Sequence, residues 1–321
     1  MAFSKNRSAS RFLNKGIRAT QFLEEMDTVI PREMIVDKID EHIVSSRPEL
    51  WWRPRIATET KLRMFFLSQW FNLSDILTEE GIYDRLSFQY FMNIDVTTDQ
   101  IPDSTTLCEF RHFLEENNLW EEILKIVNDM LKKAEIMLSW WTLIDATLIK
   151  APSSTKNIAN KRDPEMSSTK KNWTRHFGAK THIATEMNWL IQDIEVTTAK
   201  THDSQTYKDL MPDDTEYSLW DSAYTWAPLE EAAAKKWITH VAMKKRKRGQ
   251  KRLSTVDRLR NTLLSMPRKV VEFPFGVIKN QRGHRKTRYK WLEKLKSQWY
   301  VLAALCNVYR ARKKIYKWRF W

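Results

Sequence analysis

Three carboxylic acids of this 321-residue chain stand in settings that call for a charged partner. Asp145 interrupts Trp140-Trp-Thr-Leu-Ile-Asp-Ala-Thr-Leu-Ile-Lys150, a nearly continuous apolar and β-branched run that suits a strand covered on both faces. A carboxylate there is costly to desolvate unless something holds it. No basic residue adjoins it, so its partner is a distant Lys or Arg, a metal ion, or backbone N–H groups at a strand end. Asp221 follows the short apolar segment Tyr217-Ser-Leu-Trp220 and precedes a stretch that reads as a helix from Ala227 to Lys236. That puts it at the carboxyl end of a strand, where sites in α/β sheets gather. Glu272 lies in Arg268-Lys-Val-Val-Glu-Phe-Pro-Phe-Gly-Val-Ile-Lys279. Steps of four and seven set Arg268, Glu272 and Lys279 on one helix face. Taken alone, that stripe is equally an exposed face with an Arg–Glu pair.

If the first and fourth strands of one sheet lie side by side, Asp145 and Asp221 become neighbours, and a helix packed over them can lower Glu272 between them. Three acids without His or Cys make an all-oxygen site for a hard cation, Mg²⁺ or Mn²⁺. Two such ions ~3.5–4 Å apart clamp an in-line displacement at phosphorus. His202 and Asp203 look chemical at first sight, but Asp203 or Ser204 reads better as the cap of a helix from Gln205 to Leu210. The two cysteines, Cys108 and Cys306, lie far apart and without partners at metal spacing. They argue against a disulfide framework or a zinc site, and for a reduced cytoplasmic compartment.

Lys and Arg number 54 against 40 acids, a formal charge of +14. Such an excess favours a polyanionic partner, nucleic acid before membrane. It is also clustered. Lys244, Lys245, Arg246, Lys247 and Arg248 open a run to Arg252 that reads as a phosphate-backbone footprint, or more plainly as a solvated charge run. Lys156, Lys161, Arg162, Lys170 and Lys171 lie in a polar stretch, 151–172, that reads as a long loop beside the acids. Arg285 is a further candidate for DNA contact. Of fifteen Trp most are core, while Trp173 and Trp226 are candidates for stacking on an unpaired base. No apolar run reaches the ~18 residues of a membrane span.

The elements that must position these residues divide the chain into a basic, mobile stretch 1–20, a helical domain 21–137, and an α/β domain 138–321 with basic C-terminal helices. In the helical part, Thr58–Asn72, a helix capped by Ser74 or Asp75, Leu86–Met92, a helix capped by Ser104 or Thr105, and Leu119–Met137 follow one another. The pair flanking Asn93–Asp103 is a variant helix-turn-helix or ordinary bundle packing. In the second part the Asp145 strand, a hairpin over Arg175–Thr197, the Asp221 strand and Trp237–Met243 predict a mixed five-stranded sheet flanked by helices. Pro274 predicts a kink or a new start in the Glu272 helix.

Several segments together resemble a known family. Ile144-Asp-Ala-Thr-Leu-Ile-Lys-Ala-Pro-Ser-Ser-Thr-Lys156, Arg162-Asp-Pro-Glu-Met166, His176-Phe-Gly-Ala-Lys-Thr-His-Ile183, Thr198-Ala-Lys-Thr-His-Asp-Ser204 and Val271-Glu-Phe-Pro-Phe-Gly-Val-Ile-Lys279 are similar to the DDE transposases of the bacterial insertion sequence family numbered five. Leu62–Phe71 and Pro102–His112 resemble that family's N-terminal domain, so the likeness runs from about Gln21 to Lys313. It implies a ribonuclease-H-like core that cuts double-stranded DNA at the terminal inverted repeats of a mobile element and joins the ends to a target. It maps the metal-binding, catalytic acids onto Asp145, Asp221 and Glu272, and residues at the DNA phosphates onto Arg268 and Lys279. It also implies homo-oligomers, and a cytoplasmic bacterial protein associated with the nucleoid when on DNA. The sequence departs from the family at Trp220-Asp-Ser-Ala-Tyr224, at Asn188-Trp in place of a turn Gly, and at Ser265 where a Tyr is common. A derived protein that binds DNA without cutting is the alternative, and a nuclease that hydrolyses without joining is a third.

Overall fold

β1 (Trp141–Lys150) has a strand on each side and orders the sheet around it. The computed structural model describes residues 17–46, 56–138, 140–156, 160–171, 173–206, 210–212, 215–220, 239–242 and 253–320. The chain divides into two compact units, 131–310 on the one hand and 1–130 with 311–321 on the other.

In the unit 131–310, β1 runs antiparallel to β3 (Thr174–Thr185), from Leu143 opposite Thr185 to Lys150 opposite Gly178. On its other side it is parallel to β5 (Tyr217–Trp220), with Leu143 opposite Leu219, and β5 is parallel to β6 (Thr239–Ala242). β4 (Ile191–Thr198) pairs with the second half of β3. The five strands expected from the sequence thus form a mixed sheet in the order β4-β3-β1-β5-β6. A further strand, β2 (Ser167–Lys171), pairs with the first half of β3, so the polar stretch before it is a shorter loop than its composition predicts. Leu143, Ile144, Ile149, Ala179, Ile183 and Ala184 are buried in this sheet. Their continuous apolar character comes from cover on both faces.

α8 (Thr255–Phe275), capped by Ser254 through the Asp257 N–H, carries Glu272. It runs unbroken through Pro267 and Pro274, so the new start that the sequence offers at Pro274 does not occur. Directly afterwards, at Gly276–Gln281, its hydrogen bonds widen to π spacing. Proline removes one N–H and crowds the carbonyl four residues back. Here the helix accommodates it without ending. α9 (Leu292–Phe320) begins under two acids of the loop before β2: Asp163 accepts from the Trp291 N–H and Glu165 from the Leu292 N–H, each at 2.7 Å. Negative charge at a helix N-terminus is favourable. Further along, the fully buried Asn307 closes both its amide groups on the backbone of Ile191, at 2.7 Å each. That pins α9 to the start of β4 and leaves the amide satisfied.

The helical unit holds α1 (Arg18–Val29), α2 (Arg32–Ser46), α3 (Thr58–Trp70), α4 (Asp75–Asp84), α5 (Leu86–Met92), α6 (Ser104–Glu116) and α7 (Leu119–Lys133). α1 starts within the stretch expected to be mobile as far as residue 20. Ser74 caps α4 as expected, whereas α6 is capped by Asp103, whose carboxylate accepts the Thr106 N–H at 2.7 Å. α6 packs on α3 and α4, with Arg111 paired to Asp75 at 2.6 Å. Phe65, Phe110 and Trp120 form an edge-on aromatic core, and Arg63 is buried beside it. Its guanidinium joins Asp27 of α1 at 2.7 Å, Glu59 of α3 at 2.9 Å and the Phe91 carbonyl of α5. Among the described residues, no helix is long and apolar enough to cross a membrane.

Candidate active site

Alternation along β1 sets Leu143, Asp145, Thr147 and Ile149 on one face of the sheet. Asp145 is half-buried and accepts the Ala146 N–H at 2.8 Å. Lys279 reaches this face from the π segment. Its ammonium donates to Thr147 Oγ1 at 2.9 Å and to the Leu148 carbonyl at 3.0 Å. The chain beyond then runs parallel to β1, the Lys150 carbonyl accepting the Thr287 N–H at 2.8 Å. Glu272 stands seven residues before Lys279. At ~1.5 Å per helical residue that is ~10 Å along the helix. α8 packs against β1 and β5.

Val271, Phe275, Val277 and Ile278 are buried, while Glu272 is exposed. A side chain added at Gly276, between Glu272 and Lys279, would meet nothing within 4 Å. The stripe thus borders open space. A second contact steadies the helix beside Glu272: Trp189, in the β3–β4 turn, lays its ring against Phe273 with centroids 4.6 Å apart. The Arg310 guanidinium covers both rings, 3.9 Å from Trp189 and 5.1 Å from Phe273. Neither this packing nor the role of Thr147 is part of the sequence-based expectation. The Asn188-Trp189 turn was a visible signal, because a Trp there has to adopt a left-handed backbone, φ 73°.

The other expected residues fall in several places. Arg268 lies on α8, one turn before Glu272. Arg285 is exposed and donates to Asn280 at 3.0 Å. Lys156 and Arg162 are exposed on the loop before β2, Arg162 held to the Ser153 carbonyl at 2.8 Å and over the Phe177 ring at 5.4 Å. Asp221, Trp226 and Lys244, Lys245, Arg246, Lys247 and Arg248 lie outside the described residues. Among those described, no three of His, Cys, Asp and Glu are grouped so as to hold a metal ion. β5 ends at Trp220, immediately before Asp221 in sequence.

His182 and Lys180 sit opposite Ala146 and Leu148, on the other face of the sheet from Asp145. Lys180 donates to Asp203 and to the Thr201 carbonyl, each at 2.7 Å. Asp203 is thus a partner for Lys180 and opens a 3₁₀ turn, Asp203–Gln205, while residues 207–209 of the helix expected after it lie outside the described residues. His182 is fully buried, with Nε2 3.0 Å from Thr197 Oγ1. Burial pushes its imidazole pKa down to about 4, Asp203 opposing and Lys180 adding to the shift.

Residues 139–308 match the family described as Transposase DDE domain, and residues 11–113 match Transposase domain (DUF772). No solved structure matches the chain. The first match spans more than half of the sequence and covers the whole of the ribonuclease-H-like sheet. The protein belongs to the DDE transposases, enzymes of the polynucleotidyl-transferase type.

Proposed function

We propose that the protein cuts DNA at the terminal inverted repeats of an insertion sequence of the family numbered five and joins the freed ends to a target. In this reading Asp145, Asp221 and Glu272 are the catalytic acids. The single observation that carries it is the Lys279–Thr147 anchor, which ties the Glu272 helix to the Asp145 strand. β1 and β5 are parallel neighbours with Leu143 opposite Leu219, and Asp145 and Asp221 each stand two residues beyond that pair in sequence.

DDE transposases use divalent metal ions, and an oxygen-only donor set of three acids fits Mg²⁺ or Mn²⁺, as a pair. When bound, the ions supply activation of the attacking oxygen and neutralise charge on the leaving one. The chain's own part is to hold the three carboxylates on a strand, a strand end and a helix tied to that strand. Arg268, Lys279, Arg285, Lys156, Arg162 and the run Lys244–Arg248 are the proposed phosphate contacts. Residues 21–137 serve DNA binding and assembly, and 138–321 catalysis, in a homo-oligomer on paired DNA ends in the bacterial cytoplasm. The bulky Trp220 and small Ser222 around Asp221 favour one second reading, a DNA-binding protein that has lost cleavage.

The test is cleavage and joining of DNA carrying the element's ends, with Mg²⁺. The proposal expects Asp145→Ala, Asp221→Ala and Glu272→Ala to bind that DNA and yield no product. Undiminished cutting by any of the three refutes the assignment. A parent protein that binds and never cuts supports the second reading.

A further inference from the structure

The chain contains two Asn-Trp turns, and the fold accounts for only one of them. Asn188-Trp189 joins β3 to β4, and Asn172-Trp173 joins β2 to β3, Lys171 and Thr174 being the last cross-strand pair. Trp173 and Trp189 both adopt a left-handed backbone, φ 64° and 73°. After Asn in so tight a turn the favoured residue is Gly, and a bulky side chain costs ~1–2 kcal/mol there. For Trp189 the packing on Phe273 and Arg310 offsets that cost. Trp173 is 91% exposed, and its ring has the Lys170 ammonium 4.6 Å from its centroid.

The surroundings of Trp173 point to the chemistry of its partner. From Ser167 to Thr185 the β2–β3 ribbon contains no acid, and Lys170 and Arg175, opposite each other next to the tip, are both exposed. An aromatic ring flanked by cations suits a nucleobase between phosphates. A second copy of this chain, itself at +14, is a poor electrostatic match for the same tip.

We propose that Trp173 stacks on a destacked base of the bound DNA, an inference that rests on the reading of the protein as one that acts on DNA. Trp173 is ten residues along the ribbon from Ile183, the partner of Asp145. At ~3.3 Å per residue this is ~33 Å, about ten base pairs of B-DNA. The contact then falls about one helical turn from the cut.

The experiment compares the full chain with Trp173→Gly and Trp173→Phe in metal-free, low-salt buffer. The probes are a fluorescein-labelled duplex of arbitrary sequence and the same duplex with a short unpaired bulge. Gly relieves the backbone, so Trp173→Gly folds at least as stably as the parent. It is expected to lose about 5- to 150-fold in affinity for the bulged probe, with a smaller loss on the intact duplex, and Trp173→Phe keeps most of the affinity. No loss on the bulged probe, or an equal loss on both, overturns the stacking role while DNA binding itself stands. A parent protein that binds neither probe overturns the DNA reading together with this one. If DNA affinity holds and sedimentation shows that Trp173→Gly breaks an oligomer, the tip belongs to a second copy and the proposal fails.

Discussion

Lys279 Nζ lies 2.9 Å from Thr147 Oγ1, two residues along β1 from Asp145 and on the same face. This contact ties the Glu272 helix to the Asp145 strand. Thr147→Val keeps the shape and removes the acceptor, leaving Lys279 the Leu148 carbonyl. A hydrogen bond to a charged group contributes ~1.5–3 kcal/mol when shielded. Lys279 is half-exposed, so the expected loss of stability is about 1 kcal/mol. Amide hydrogen exchange over 271–281 should rise, and Thr147→Ser should restore it. Unchanged exchange in Thr147→Val means that the helix is held otherwise.

The two turn tryptophans should respond oppositely to glycine. Trp189→Gly loses a ring pair worth ~0.5–1.5 kcal/mol and a cation–π contact worth ~0.5–1 kcal/mol, offset by relieved backbone strain. Trp173→Gly loses little and gains the relief. Thermal melts should place Trp189→Gly at or below the parent and Trp173→Gly at or above it. A lower midpoint for Trp173→Gly than for Trp189→Gly contradicts the roles given to both.

His182 makes stability depend on pH. Its folded-state pKa of about 4 lies below the ordinary 6.5 because of burial. Between those values the unfolded chain binds a proton that the folded chain does not, so stability falls as pH drops from about 6.5 towards 4. The contribution at stake is about 3 kcal/mol. Denaturant melts between pH 7 and 4.5 should show a weaker pH slope for His182→Gln than for the parent. Parallel slopes would show that other groups carry the acid sensitivity.

Arg63 joins three helices through Asp27, Glu59 and the Phe91 carbonyl, and burial lowers its pKa. Arg63→Met leaves the Phe91 carbonyl without the guanidinium and Asp27 and Glu59 with Arg32, at a cost of about 1–3 kcal/mol. Arg63→Lys restores only part, since one ammonium cannot reproduce the guanidinium fork. Equilibrium denaturation measures both, and a neutral Arg63→Met would contradict the bridging role.

The sheet and most helices were legible because their patterns are local. The β1 run, the alternation in β3 and the Ser74 cap each declare themselves within a dozen residues. Asp145 and Glu272 stand out as acids in odd settings, and the roles proposed for them rest on the family likeness. Thr147 was not legible, because its importance lies in an ammonium 132 residues away. Asp163 and Glu165 read as loop acids, and only the folded chain brings them to the start of α9. The new start offered at Pro274 does not occur, because a helix can widen its hydrogen bonds after a proline and continue.

The most direct test of the central claim uses Fe²⁺ in place of Mg²⁺. With ascorbate and peroxide, a bound Fe²⁺ cuts the polypeptide next to its ligands, and mass spectrometry maps the cuts without any need for activity. The account predicts cuts near Asp145, Asp221 and Glu272 together, suppressed by excess Mg²⁺ and absent in Asp145→Ala. Cuts confined to other segments, or cuts that survive in Asp145→Ala, would contradict it.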